Sequence, residues 1–229
     1  MNIDSILHIA LSLIAIFTAI VLHEVAHGYM ALRLGDPTAR DLGRLTLNPL
    51  AHIDPIGTIL VPIVLAVLNA PLFGWAKPVP INPRNFRNPF RGMLFVALAG
   101  PGTNIALALG ASIIGRLLLL MVPQSLSTAS ASFGMNLLIS LFTLLGYFVI
   151  YNLFLAGLNL IPIPPLDGSR VLTYFLPTEG RRIMFSLERY GFFIFAALLY
   201  LGVFNGVFRA VQGLGQQLLG YRWLVLIFT

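Results

Sequence analysis

Residues 23–29 read HEVAHGY and directly follow the apolar run IALSLIAIFTAIVL. On a helix, residues i and i+4 share a face, so His23 and His27 point the same way, one turn apart. Two imidazoles at that spacing form a zinc pincer. A glutamate between them, Glu24, is placed to act on a metal-activated water. The bland alternative is two satisfied core histidines with Glu24 paired to Arg33 or Arg44. It must explain three polar groups within five positions of an apolar segment, where one charge costs roughly 2.5–3.5 kcal/mol.

Catalytic zinc takes three protein ligands and keeps one position open. The chain has no cysteine, so disulfides, thiolate sites and cysteine nucleophiles are excluded and the third ligand must be Asp, Glu or His. Asp36, Asp41, Glu179 and Glu188 sit in charged stretches and Asp4 near the end, where solvation suffices. Asp54 precedes Pro55 and reads as a helix N-cap with proline at N1. Asp167, in NLIPIPPLDGSRVL, lies just past an apolar segment, and its bland reading is an N-cap for the next helix. The topology below brings it to the same side of the membrane as the end of the HEVAH segment, and that makes it the third-ligand candidate.

The elements that position these residues follow from composition. The chain has 229 residues, 58% hydrophobic and 10% charged, with mean hydropathy +0.89. Soluble domains carry about 25% charged residues, so this is an all-α polytopic membrane protein. The apolar segments fall near 6–34, 56–73, 93–121, 135–161 and 192–209, and the tail YRWLVLIFT is too short to span alone. The stretch 56–73 carries Pro62 and Pro71 and has basic loops at both ends, so a re-entrant hairpin is expected there. That makes five to six membrane segments. Short extended or strand segments are expected in the loops, notably GWAKPVPINP. GPGTN at 100–104 should interrupt the third segment. The N-terminus reads as the start of a retained span rather than a signal peptide.

The net charge of +6 comes from loops beside apolar runs, which argues for headgroups and topology signals and against nucleic acid. Loops 33–54, 77–91 and 170–189 hold most of the basic residues and are expected to be cytoplasmic. His27 lies six residues before Arg33, about 9 Å at ~1.5 Å per residue. A site at that depth, below the headgroups, needs a polar cavity opening to the cytoplasm. One membrane-embedded domain is expected over 1–229, with a core near 6–176 and a C-terminal span and tail at 190–229.

HEVAH on the first span, GPGTN on the third and NLIPIPPLDG after the fourth together resemble the site-2 protease family. LNPLAHIDPIGT and GWAKPVPINP are similar to its compact bacterial and archaeal members, without PDZ or CBS domains. The likeness runs from about residue 16 to 176. It implies an intramembrane zinc endopeptidase that cleaves transmembrane or membrane-proximal segments of membrane proteins. One Zn2+ per chain would be held by His23, His27 and Asp167, with Glu24 as catalytic acid/base. The residues read alone give the same roles.

Other positions have two readings each. Asn104 could hold substrate backbone or a developing oxyanion, or form an interhelical hydrogen bond. Asn152 and Asn159, seven apart, could orient a ligand or glue helices together. His52 could act beside the metal or on substrate, or be a loop histidine. His8 fits the membrane interface, and Arg116 a snorkelling cation. Gly102, Ala106 and Gly110 read as a close-packing helix face. The stretch 75–82 could offer a strand edge to an unwound substrate. A transporter or proton relay would also place His, Glu and Asp in the membrane, but along the depth of several spans. A bis-histidine haem needs a partner histidine on another span. A metal-binding pseudoprotease would be expected to lack Glu24.

Overall fold

The computed structural model describes residues 3–67, 75–122, 133–221 and 223–224. Among them every regular element is helical. In chain order these are α1 (Ile3–Arg33), α2 (Thr38–Asp41), α3 (Val61–Val67), α4 (Pro89–Met121), α5 (Phe133–Asn159), α6 (Asp167–Phe175), α7 (Thr178–Glu188), α8 (Gly191–Tyr200) and α9 (Asn205–Leu219). Among the described residues three helices are long and apolar enough to cross a membrane: Ser5–Arg33 of α1, α4, and Gly134–Asn159 of α5. The pair α7 and α8, bent by 78°, could count as a fourth.

These account for three or four of the expected five to six segments. The apolar stretch at 56–73 begins as a wide helical turn, Pro55–Leu60, and continues as the seven-residue α3. The described part of α3 is about 10 Å long at ~1.5 Å per residue; residues 68–74 of the stretch lie outside the described residues. Asp54 caps the turn as expected, accepting from the Ile56 and Gly57 amides at 2.9 and 2.7 Å. The last apolar segment breaks where Gly202 takes φ +72°, between α8 and α9. GPGTN does not interrupt α4, which continues through Pro101. The polar stretch 170–189 is helical, in α6 and α7.

No strand occurs among the described residues. Residues 75–82 run without regular structure, held by alternate amides: Trp75 to the Gly57 carbonyl (3.2 Å), Lys77 to the His52 carbonyl (2.9 Å), and Val79 to a side chain described below. Alternate bonding marks extended chain, but the acceptors belong to the 3-10 turn Pro49–His52, the wide turn Pro55–Leu60 and α1 rather than to a second strand.

The chain divides into two compact units. One comprises 1–19, 104–157 and 205–229. Its core gathers around Trp223, fully buried with Phe142, Val149 and Leu219; the indole N–H donates to the Phe142 carbonyl at 3.1 Å. Trp223 of the C-terminal tail therefore supplies core. Arg116 does not snorkel: its guanidinium donates to the Leu218 carbonyl (2.8 Å) and to Gln217, capping α9. His8 meets the Tyr147 hydroxyl at 3.1 Å. Asn104 is fully buried and donates to Asn152 Oδ1 at 2.7 Å. A Cβ at Gly102, in the other unit, or at Gly110 would meet nothing within 4 Å among the described residues, so neither glycine marks a close contact.

The other unit comprises 20–103 and 158–204. Ala31, Phe86 and Val96 form its apolar centre. Asp36, fully buried, accepts from Thr38 N–H (3.1 Å) and its hydroxyl (2.5 Å), Asn82 N–H (2.7 Å) and Asn85 Nδ2 (2.7 Å). It thereby ties the end of the extended stretch to the end of α1. Burial alone would raise its carboxyl, but these donors outweigh burial and hold it below the usual carboxylate range. The stabilisation is thus present above about pH 4 and is lost as pH falls through the lowered value. Asp36→Ala strands buried donors, at roughly 1–3 kcal/mol each. The expected result is a lower melting temperature and greater hydrogen exchange at residues 75–82, read by mass spectrometry; unchanged exchange there would show that Asp36 does not hold the stretch.

Candidate active site

The second half of α1 carries His23, Glu24 and His27 in the second unit, and α6 opens with Asp167 in the same unit. Asp167 is the first residue of its helix, not an N-cap; Leu166 holds the cap position, with no side-chain bond. That leaves its carboxylate for other partners. His23 Nε2 and His27 Nε2 lie 2.9 Å apart, and each is 3.2 Å from Asp167 Oδ2. Both histidines are buried.

His27 Nδ1 donates to the Val96 carbonyl at 2.7 Å. A carbonyl only accepts, so the proton is on Nδ1 and the Nε2 lone pair of the neutral ring faces the cluster. A ring-to-ring hydrogen bond could satisfy both Nε2 atoms, but Asp167 Oδ2 would still be a buried oxygen without a well-directed partner.

A cation satisfies all three atoms at once. Ligands ~2.0–2.2 Å from a tetrahedral ion are roughly 3.3 Å apart. The observed separations of 2.9–3.2 Å come close to this. His23, His27 and Asp167 are the group of metal-capable side chains found among the described residues. Their number and type, two imidazoles and a carboxylate, are those of a catalytic zinc site with an open fourth position.

Glu24, half-buried, forms no ion pair among the described residues. Its Oε2 accepts the Val79 amide at 2.8 Å, so the extended stretch fixes the carboxylate that neighbours His23.

A profile of peptidase family M50 matches residues 82–202. The chain belongs to peptidase family M50, the site-2 protease family.

Relatives of this M50 chain carry provisional names as zinc metalloproteases. YwhC of Bacillus subtilis is 39% identical over 195 residues, covering 83% of this chain and 79% of its own. Rip2 of Mycolicibacterium smegmatis is 31% identical, covering 82% and 65%. A relative from Methanocaldococcus jannaschii is 32% identical, covering 74% and 73%. No solved structure matches the chain significantly. The family consists of membrane zinc metalloproteases, in keeping with the apolar helices and the buried two-histidine, one-carboxylate cluster.

Two glycines of the M50 chain let the site close. A Cβ on Gly100 would stand 2.5 Å from His27 Nε2 and 2.6 Å from His23 Cε1. The residue expected to break α4 instead gives the imidazoles room. Gly168 comes under the backbone carbonyls of Leu160 and Ile161, 2.3 and 2.4 Å from its would-be Cβ; fixed backbone cannot yield there, so the residue after Asp167 must lack a side chain. Gly100→Ala is expected to displace both rings. Overpacking of roughly 1–3 kcal/mol would weaken zinc retention about 5- to 150-fold, measured by metal analysis after dialysis against a graded chelator. Wild-type retention would show that the rings tolerate the methyl.

The remaining candidates lie as follows. His52 is buried; Nε2 meets the Thr46 carbonyl at 2.9 Å and Nδ1 has no hydrogen-bond partner among the described residues. Its backbone carbonyl anchors Lys77, so it supports the extended stretch. Asn104 also donates to the Ala19 carbonyl at 3.4 Å. Asn159 closes α5, half-buried. Val79, Val96 and Gly100 escaped the sequence reading because they act through backbone or through a missing side chain. Pro78 and Pro80, which favour extended backbone around Val79, are the one local signal of its role.

Proposed function

We propose that the chain is an intramembrane zinc endopeptidase that hydrolyses peptide bonds in transmembrane or membrane-proximal segments of membrane proteins. The observation that carries this is the convergence of His23, His27 and the orphaned Asp167 Oδ2 beside an amide-anchored Glu24. His23, His27 and Asp167 hold one Zn2+. When bound, zinc supplies Lewis acidity to the scissile carbonyl and lowers the pKa of the attacking water.

Glu24 takes the proton from that water and later delivers it to the leaving amine as the C–N bond breaks. The Val79 amide holds Oε2 in place and leaves Oε1 for the proton. The Val96 carbonyl keeps the His27 ring in register, the usual task of an outer partner to a metal-binding histidine. Three basic loops support a site opening toward the cytoplasm.

A helical substrate must unwind before attack, and its freed backbone groups need partners. The stretch 75–82 would meet them mostly as an acceptor. The amides of Trp75, Lys77 and Val79 are already committed, and Pro78 and Pro80 have none. A paired substrate strand would therefore mainly donate.

The test is a panel of single-span substrates reconstituted in liposomes with the purified protein, some carrying helix-weakening residues mid-span. Expected is cleavage within or beside the span, favoured by the weakened helices. Failure to cut any of the panel in the zinc-loaded protein, or cutting only of soluble polypeptides, would reject the reading.

A further inference from the structure

We propose that α7 carries a binding site for the phosphate of anionic phospholipids, with Arg182 and Arg189 as its cationic ligands. The helix and the turn that follows it present two stripes. Thr178, Arg181, Arg182, Phe185, Ser186 and Arg189 recur at spacings of three and four and line an open recess of about 550 Å³. Ile183, Leu187 and Tyr190 recur at i, i+4 and i+7, and are 60%, 38% and 55% exposed. A cationic stripe beside an exposed apolar stripe is the pattern of a helix lying in the membrane interface.

The turn that follows supports this placement. At 78° to α7, α8 is the apolar GFFIFAALLY, with Phe193 71% exposed. An apolar helix entering lipid at that angle puts α7 near the membrane surface, where headgroup phosphates lie.

Charge accounting leaves the recess cationic. Glu188 pairs with Arg170 at 3.3 Å, away from the recess lining. Glu179 meets Arg182 at 3.6 Å with both side chains about three-quarters exposed, a geometry that contributes little. The Arg189 guanidinium has no ion pair or hydrogen bond among the described residues. Arg181 braces the recess: it donates to the Thr173 and Tyr174 carbonyls at 3.1 and 3.0 Å and stacks at 4.1 Å over Phe90. Two exposed arginines on a braced floor suit a phosphate, and the apolar stripe beside them suits its acyl chains.

The test uses the full chain in nanodiscs of phosphatidylcholine with a minor fraction of phosphatidylglycerol, released and analysed by native mass spectrometry. Wild type is expected to retain phosphatidylglycerol over phosphatidylcholine. Arg182→Gln/Arg189→Gln should reduce that preference roughly 25-fold, at about fivefold per arginine near the surface. Arg182→Lys/Arg189→Lys should keep most of it, and Arg40→Gln, on another basic loop, should keep all of it. Retention should fall with rising salt. The melting temperature of each variant separates loss of binding from loss of folding. Equal retention of both lipids by wild type, or an unchanged preference in the Gln double variant, overturns the proposal. So does displacement by glycerophosphate at equal phosphate concentration, which would make the site one for a soluble phosphate.

Discussion

Glu24→Gln protein is expected to keep about one zinc per chain while turnover falls by about a thousandfold. The amide is nearly isosteric with the carboxylate, and its oxygen can still accept from Val79 N–H, 2.8 Å away in the native protein. The geometry of α1 and of 75–82 should therefore be unchanged. What the amide cannot do is take a proton at neutral pH. Positioned general acid–base catalysis supplies about 10²–10⁴-fold, and here one group serves both attack and departure of the amine. The measurement is single-turnover cleavage of a reconstituted single-span substrate, alongside metal analysis of the same sample. Loss of zinc together with activity would make Glu24 a structural residue. Retained activity would move the proton transfer to another group.

Removing a ligand should have the opposite signature. Asp167→Ala and His23→Ala are each expected to lose zinc by more than the 10–100-fold that an outer partner contributes, with turnover lost in proportion. Each variant removes one apex of a triangle whose sides are 2.9, 3.2 and 3.2 Å, leaving two ligands for an ion that needs three from protein. Asp167→Ala also removes the buried, partnerless Oδ2. Fold stability without metal should therefore fall little, or rise. Melting temperatures with and without chelator read this directly. A large zinc-dependent gap is expected in wild type, and a small one in Asp167→Ala. A wild-type protein without zinc, or an Asp167→Ala protein that keeps it, would remove the three-ligand site and with it the proposed mechanism.

Much of this was legible in the sequence because its carriers are side chains at helical or terminal spacing. His23, Glu24 and His27 are placed by the 3.6-residue turn alone. Asp167 was put beside them by the expected topology, and the structure brings its carboxylate within 3.2 Å of both rings. The Asp54 cap is a local pattern of side chain and proline, and it appears as read.

What failed to show depends on close approach. Gly100 looked like a helix breaker because proline and glycine weaken helices in isolation. In the fold, α4 continues through Pro101, and the glycine is needed because two imidazoles lie against that turn. Arg116 looked like a snorkelling cation, yet it caps α9, an element a hundred residues away in sequence. The stretch 75–82 read as a possible strand edge. The amides of Trp75, Lys77 and Val79 are spent on Gly57, His52 and Glu24, acceptors that only the folded chain brings to it.

The sequence by itself determined the membrane solvent and put forward His23, His27 and Asp167 as a donor set with Glu24 beside them, because hydropathy and i, i+4 spacing are one-dimensional properties. Only the tertiary structure decided how those groups are held. The Val79 amide on Glu24, the Val96 carbonyl on His27 and the bare Cα of Gly100 are backbone features, and every residue type but proline offers the same backbone groups. Their partners are chosen by packing distance, which sequence spacing does not encode.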